Sequence, residues 1–321
     1  MKLNGPLVFI LIVIAGGIGV LGFFVLTRAP NATDKNPYPY DMSALRTTNA
    51  KQYREIRSID VSSSAHAVTI AQQMLYVLSD DGVAVYSRAG EKTRVFPVQG
   101  ATAIAVDGDI FLGMGDRIAV YSSAGEFKSQ WREPDRKTKI TALAVQGDAV
   151  AAVDFGCRVV WHYSRAGTLR GIFGRRDEEK RVPGLLFPSP YGGVAMSPSG
   201  IWVANTGRLS MERYGTDGRI TASWGHPGMT IDGFTGCCNP VHFAMLPAGF
   251  VTSEKGLLRI KTYDLRGTFT ALVAGPEDFH PATKPCDVAA DAAGDIYVLD
   301  SYRHAVRVFT YQETNNAGSS R

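Results

Sequence analysis

The stretch CDVAADAAGDIYVLDSYRHAVRVFTY, residues 286–311, decides the fold. It opens on small apolar residues and turns at Asp291–Gly294. A second apolar segment then ends on Asp300, and a third ends in aromatics at Phe309 and Tyr311. Short apolar runs punctuated by Gly and Asp are strand-and-turn chemistry, so the stretch predicts three consecutive antiparallel strands rather than a helix. Ile296 and Val298 alternate with Tyr297 and Leu299, and all four are apolar. Such a strand is buried on both of its faces.

Five earlier segments, starting at Ala65, Ala101, Ile140, Gly192 and Val241, follow the same plan. Each has a small-residue strand, a Gly turn, a second apolar strand ending near Asp, Asn or Glu, and a third strand ending in an aromatic. Each then adds what the last segment lacks. A glycine turn (Arg88-Ala89-Gly90, Ser123-Ala124-Gly125, Arg165-Ala166-Gly167, Thr216-Asp217-Gly218 or Arg266-Gly267) leads into a fourth strand. Four strands repeating every ~40–50 residues is the pattern of a β-propeller. The sixth segment runs out after three strands, whereas QYREIRSIDV, residues 52–61, reads as a strand without a unit. The expectation is an all-β, six-bladed propeller over residues 51–311, closed by this N-terminal strand, since closure removes open sheet edges.

The segments DVAADAAGDIYVLDSYRHAVRVF (287–309) and GGVAMSPSGIWVANTGRLSMERY (192–214) resemble NHL repeats. The matched features are Asp287-Val288-Ala289, the turn from Asp291 to Gly294, the strand Ile296-Tyr297-Val298 and the acidic end at Asp300. The resemblance is good over blades four to six and weaker over one to three. It implies a six-bladed propeller and does not by itself imply an activity. Propellers that resemble it are mostly binding platforms. One branch, the peptidyl-hydroxyglycine amidating lyases, binds zinc with channel histidines from several blades; here only His242 and His304 are candidates for such a set.

In a propeller, the entry into each first strand and the link from second to third strand emerge on one rim. Cys237 and Cys238, in GFTGCCNPVHFAM (233–245), precede the first strand of blade five. Cys286 opens blade six, and Cys157 follows Asp154-Phe155-Gly156 in blade three. All four cysteines therefore map to one rim, and three readings stand side by side. They pack as small side chains. They form disulfides, either Cys237–Cys238 or one of that pair with Cys286. Or they serve a redox or metal site, where thiolates suit a thiophilic ion such as Zn or Cu. Candidate metal ligands are Cys237, Cys238, Cys286 and His242, although adjacent cysteines do not easily share one tetrahedral ion. His304, in the loop equivalent to that of Cys157, joins the candidate face.

Asp80, Asp154, Asn205, Glu254 and Asp300 end the second strands. Short Asx side chains there cap tight turns through backbone N–H groups. Glu254 breaks the Asx pattern beside Lys255, which makes it the candidate functional carboxylate. Arg208, Lys255, Arg259 and Arg303 are expected to make the channel mouth basic and suited to a small anionic ligand.

The N-terminus has a different composition. Leu7 to Leu26 is an uninterrupted apolar run, long enough for the ~30 Å hydrocarbon core of a bilayer. Residues 1–27 are expected to be an uncleaved transmembrane anchor, 28–50 a Pro- and Asn-bearing linker, and 312–321 a disordered tail. The propeller would then face the periplasm or extracellular space. Net charge is +4 with basic residues scattered, so there is no footprint for nucleic acid. No Gly-x-Ser-x-Gly elbow, P-loop or His-Glu-x-x-His motif is present, which removes support for common hydrolases and nucleotide enzymes. The function expected is that of a membrane-anchored, extracytoplasmic binding or scaffold module, with a protein partner or small anionic ligand on its cysteine-bearing face. The alternative is a redox or metal-binding protein using Cys237, Cys238 and Cys286. A zinc-dependent lyase is the third.

Overall fold

The computed structural model describes residues 51–132, 135 and 137–312. The apolar run 7–26, the linker 28–50 and the tail from 313 lie outside them. Among the described residues no helix is long and apolar enough to cross a membrane.

Six four-stranded antiparallel sheets make up this part of the chain. Blade 1 holds β2 (Ala67–Ala71), β3 (Met74–Ser79), β4 (Gly82–Tyr86) and β5 (Lys92–Pro97), and blade 2 holds β6 (Ala103–Asp107), β7 (Asp109–Gly113), β8 (Arg117–Tyr121) and β9 (Phe127–Arg132). Blade 3 is β10 (Ile140–Gln146), β11 (Ala149–Asp154), β12 (Val159–Ser164) and β13 (Leu169–Phe173). Blade 4 is β14 (Val194–Ser197), β15 (Gly200–Asn205), β16 (Ser210–Tyr214) and β17 (Ile220–Trp224). In blade 5, β18 (His242–Leu246), β19 (Gly249–Ser253), β20 (Ile260–Asp264) and β21 (Phe269–Ala274) follow in order. Blade 6 has β22 (Val288–Ala290), β23 (Ile296–Asp300) and β24 (Ala305–Tyr311), and its fourth strand is β1 (Tyr53–Asp60), which pairs antiparallel with β24 from Tyr53–Tyr311 to Asp60–Ala305.

The apolar pattern of the second and third strands finds its reason in the packing. Val150, Ala151, Ala152 and Val153 of β11 are all fully buried, although they alternate in direction. Odd and even side chains enter different clusters. Val150 and Ala152 pack with Phe111 and Ile118 of blade 2, whereas Ala151 and Val153 pack with Ile201 and Val203 of blade 4. The core is therefore six inter-blade clusters rather than one, and each blade is covered on both sides. The cluster of blades 6 and 1 joins Tyr297, Leu299 and Val306 to Leu75 and Val77, and includes Ile59 of β1. Burying a side chain such as Phe111 contributes about 1.5–3 kcal/mol.

The glycine turns between third and fourth strands are dictated by the preceding blade. Gly167 has φ +88°, and a Cβ there would lie 1.6 Å from the indole of Trp131 in blade 2. A left-handed backbone in contact with an aromatic wall leaves glycine as the residue that fits.

The first strands β2, β6, β10, β14, β18 and β22 line a central cavity of about 350 Å³. The residues that enter it from one rim are His66, Thr102, Thr141, Gly192, His242 and Asp287. Several join neighbouring blades. Thr102 Oγ1 donates to Ile140 O (2.7 Å), and the amide of Val68 donates to Asp287 Oδ2 (2.8 Å). Below this ring the lining residues include Ile70, Val106, Val145 and Met245.

Candidate functional site

Strand alternation puts the loops before the first strands on the same rim as the loops between second and third strands. All four cysteines fall in those loops, and so do Lys255 and His304. They do not all meet. Cys286 is fully buried in the apolar cluster of blades 5 and 6. Burial, followed by the nearby Asp300 carboxylate, pushes its thiol well above the ordinary range. Cys157 packs against the cluster of blades 2 and 3. Its thiol is pushed up to about 12, first by burial and then by its hydrogen bond with Asp154. Both are packing residues. His304 sits in a left-handed turn position (φ 52°) and is exposed; among the described residues no contact joins it to the other candidates.

Glu254 corrects an expectation. It is 0% exposed and does not face the cavity. Arg259 Nε and Nη2 lie 3.0 and 2.9 Å from its two oxygens, Lys261 Nζ is 2.7 Å away, and the amide and hydroxyl of Thr235 both donate to it. The role matches those of Asp154 and Asn205, which accept the amides of Lys139 and Leu186. In blades 3, 4 and 5 the residue ending the second strand thus caps the loop that enters the first. Glutamate's extra methylene and two buried cations extend the same device. Arg259, expected at a basic mouth, is 1% exposed and belongs to this network.

Cys237, Cys238, Lys255 and His242 do come together, through residues that the sequence pattern did not single out. Asn239, 1% exposed, clamps the cysteine loop. Its Nδ2 donates to Thr235 O (2.6 Å) and Lys255 O (3.1 Å), its Oδ1 accepts the Lys255 amide (2.8 Å), and its own amide donates to Thr206 O (3.0 Å). This fixes Cys238 against the Lys255 loop. Ser189, from the entry loop of blade 4, donates to Cys238 Sγ (3.6 Å) and accepts from Lys255 Nζ (2.8 Å). The ammonium also lies 5.2 Å from the ring centre of Tyr191, a cation–π contact. Tyr191 packs edge-on against His242 with centroids 5.6 Å apart, and His242 Nδ1 is 3.3 Å from Asp287 Oδ1. A continuous polar track therefore runs from the cysteine pair to the mouth of the cavity.

Cys237 is exposed and Cys238 is 2% exposed, with the two sulfurs 3.3 Å apart as free thiols. Burial would raise the Cys238 thiol, but hydrogen bonds with Lys255, Ser189 and Cys237 outweigh it and hold it below the usual range. The Cys237 thiol shifts the other way, because it hydrogen-bonds the sulfur of Cys238 and feels its charge. Ser189 and Tyr191 had one signal in the sequence: Ser189-Pro190-Tyr191 directly precedes Gly192, and so enters blade 4 from this same rim.

Among the described residues no three His, Cys, Asp or Glu side chains gather closely enough to hold a metal ion. Of the histidines that enter the cavity, His66 has both ring nitrogens against backbone carbonyls, Ser64 O at 3.1 Å and Ala101 O at 3.0 Å. His242 then has no histidine partner, so the residues present do not fit a three-histidine zinc site.

Comparison with known proteins agrees with the fold. The NHL repeat model matches residues 283–309. No curated protein sequence matches the chain. Solved structures that resemble it include the virginiamycin B lyase of Staphylococcus aureus, at 11% identity and TM-score 0.56 over 80% of this chain and 99% of that one. The WD40 propeller domain of Doa1 gives 15% identity and TM-score 0.52 over 84% and 100%. The WD40 domain of Neurospora crassa Pan2 gives 10% and 0.53 over 83% and 97%. At these identities the likeness is one of fold. The described part of the chain is a six-bladed β-propeller, and its residues 283–309 match the NHL repeat.

Proposed function

We propose that this protein is a membrane-anchored, extracytoplasmic binding module, and that it holds an anionic group of its ligand at the rim of blades 4 and 5. Lys255 is the observation that carries the reading. Arg259, Lys261 and Arg307 are buried against carboxylates. Lys255 is half-buried and rigidly placed, and among the described residues no carboxylate pairs with it. A fixed ammonium between a serine hydroxyl and a tyrosine face, beside a cavity of about 350 Å³, suits a carboxylate or phosphate carried on a larger apolar body. Side chains such as Ile70, Val106, Val145 and Met245 below the polar ring would contact that body.

Titrating the full-length chain in detergent with small carboxylates and phosphates tests this. Binding should be micromolar to millimolar, and Lys255→Met should weaken it by about tenfold or more, the effect of losing one charged hydrogen bond. Binding of the same strength in the variant would contradict the reading. The anchor supported by Leu7–Leu26 has its own test. Alkaline carbonate should leave the full-length chain in the membrane pellet, and protease added from the extracytoplasmic side should reach the propeller. Release into the supernatant would remove the anchor.

A further inference from the structure

We infer that Cys237 and Cys238 form a thiol–disulfide exchange site, in which exposed Cys237 meets an external disulfide and Cys238 resolves the product. The inference does not depend on the anionic-ligand reading. It rests first on geometry. The sulfurs are 3.3 Å apart, and a disulfide needs about 2.05 Å. Closing the bond therefore takes a shift of roughly an ångström, which the exposed Cys237 side chain can make. The Asn239 clamp, tied to Thr206, Thr235 and Lys255, holds the loop in place while it does so.

It rests second on the division of labour between the sulfurs. Cys238 is shielded from solvent and accepts from Ser189, whose hydroxyl in turn accepts from Lys255, so a thiolate there has a donor and a cation close by. Cys237 is open to a large reagent but has no such donors of its own. Its thiol faces the Cys238 sulfur, which places Cys238 to attack a mixed disulfide formed on Cys237. Cys157 and Cys286 have neither arrangement.

The step balances. Exposed Cys237 gives its proton to solvent and attacks one sulfur of an external disulfide RS–SR. The S–S bond breaks, a Cys237–SR mixed disulfide forms and RS⁻ leaves. That thiolate is protonated by solvent, and Cys238 remains a thiolate. Cys238 then attacks Cys237 Sγ, the Cys237–SR bond breaks, and the second RS⁻ leaves and is protonated by solvent. The cysteine pair has lost two electrons to the external disulfide, which ends as two thiols. Vicinal closure is strained, so the product disulfide is itself readily reduced. The reaction runs in either direction, according to the partner.

The test uses the reduced full-length chain in detergent with glutathione disulfide as the probe, followed by mass spectrometry without reduction. Wild type should lose two hydrogens, release two glutathiones per chain, and show the new bond within the peptide that holds Cys237 and Cys238. Cys157 and Cys286 should remain free. Cys238→Ser should stop with one glutathione on Cys237, and Cys237→Ser should take up none. Lys255→Met should slow the reaction about tenfold at neutral pH and move its pH profile upward, as expected when a thiolate loses its cation. Lys255→Arg should restore the profile, which a merely structural loss would not do. A persistent glutathione adduct on wild type, or oxidation that pairs either cysteine with Cys157 or Cys286, would overturn the proposal. Because the wild-type product alone decides this, a variant that fails to fold does not leave the question open.

Discussion

Glu254→Gln is expected to lower the melting temperature by about 10 °C. The substitution keeps the shape and removes the charge. It leaves Arg259 and Lys261 buried at 1% and 0% exposure with no counter-ion. Removing one partner of a buried ion network costs about 3–5 kcal/mol, and in a domain of this size each kcal/mol moves the midpoint by roughly 2–4 °C. The loop follows the network. Arg259 donates to Thr230 O and Gly233 O, and Lys261 to Ile231 O and Gly233 O. Segment 230–235 should therefore become protease-sensitive in the variant. A second change, Lys261→Met, should recover part of the loss by removing the surplus cation. A midpoint within a degree or two of wild type would show that Glu254 is not the keystone of this network.

The same lysine gives a pH dependence with a definite sign. Burial lowers the Lys261 ammonium to about 8, despite the opposing pull of Glu254. Its ordinary value is 10.5. Between those values the unfolded chain binds the proton and the folded chain does not, so this residue's contribution to stability rises with pH there. Relative to Lys261→Met, wild type should gain about 1 kcal/mol between pH 8 and 9. The comparison with the variant matters. Buried Tyr263, Tyr214 and Cys286 have raised values and pull total stability down at higher pH. Denaturant midpoints of both proteins at the two pH values check the sign.

Arg307→Met should have an effect of similar size at the other end of the chain. Arg307 is 4% exposed on β24. Its guanidinium donates to Glu55 on β1 at 3.0 and 2.7 Å and to Asp278 O at 2.9 Å, and it lies 3.4 Å from Asp300 Oδ2. Phe279 and Phe309 flank it at 5.1 Å. Methionine keeps the packing volume but strands the buried Asp300 and the partly buried Glu55, at a cost of about 3–5 kcal/mol. Because one of those bonds ties the first strand to the last, the loss should be local before it is global. Amide exchange over Tyr53–Asp60 should accelerate ahead of blades 2 to 4. Uniform acceleration across all blades would mean that Arg307 stabilises the domain without latching β1.

The six sheets were legible because each repeat writes its own structure. Apolar strands alternate with Gly and Asp turns at a nearly constant interval, and propeller blades contact only their neighbours. The site was less legible because it is not written in any one repeat. Ser189 meets Cys238 across 49 residues and Lys255 across 66. Only the ring brings those loops together. Sharing a rim was not enough for Cys157 and Cys286, whose blades place them in apolar clusters. Glu254 shows the opposite failure. It departs from the Asp and Asn of other blades, and that departure reads as function in one dimension. In three dimensions Arg259 and Lys261, on the following loop and strand, turn back to neutralise it.

Photoaffinity labelling tests the central claim most directly. The full-length chain in detergent is irradiated with a diazirine-bearing carboxylate, and the modified residues are mapped by mass spectrometry. Labels concentrated at Ser189–Gly193, His242 and Lys255, and lost in Lys255→Met, are the result expected. Labels spread over the surface, or gathered on the opposite rim around Gly125, Gly167 and Gly218, would contradict the placing of the binding site at the cysteine-bearing rim.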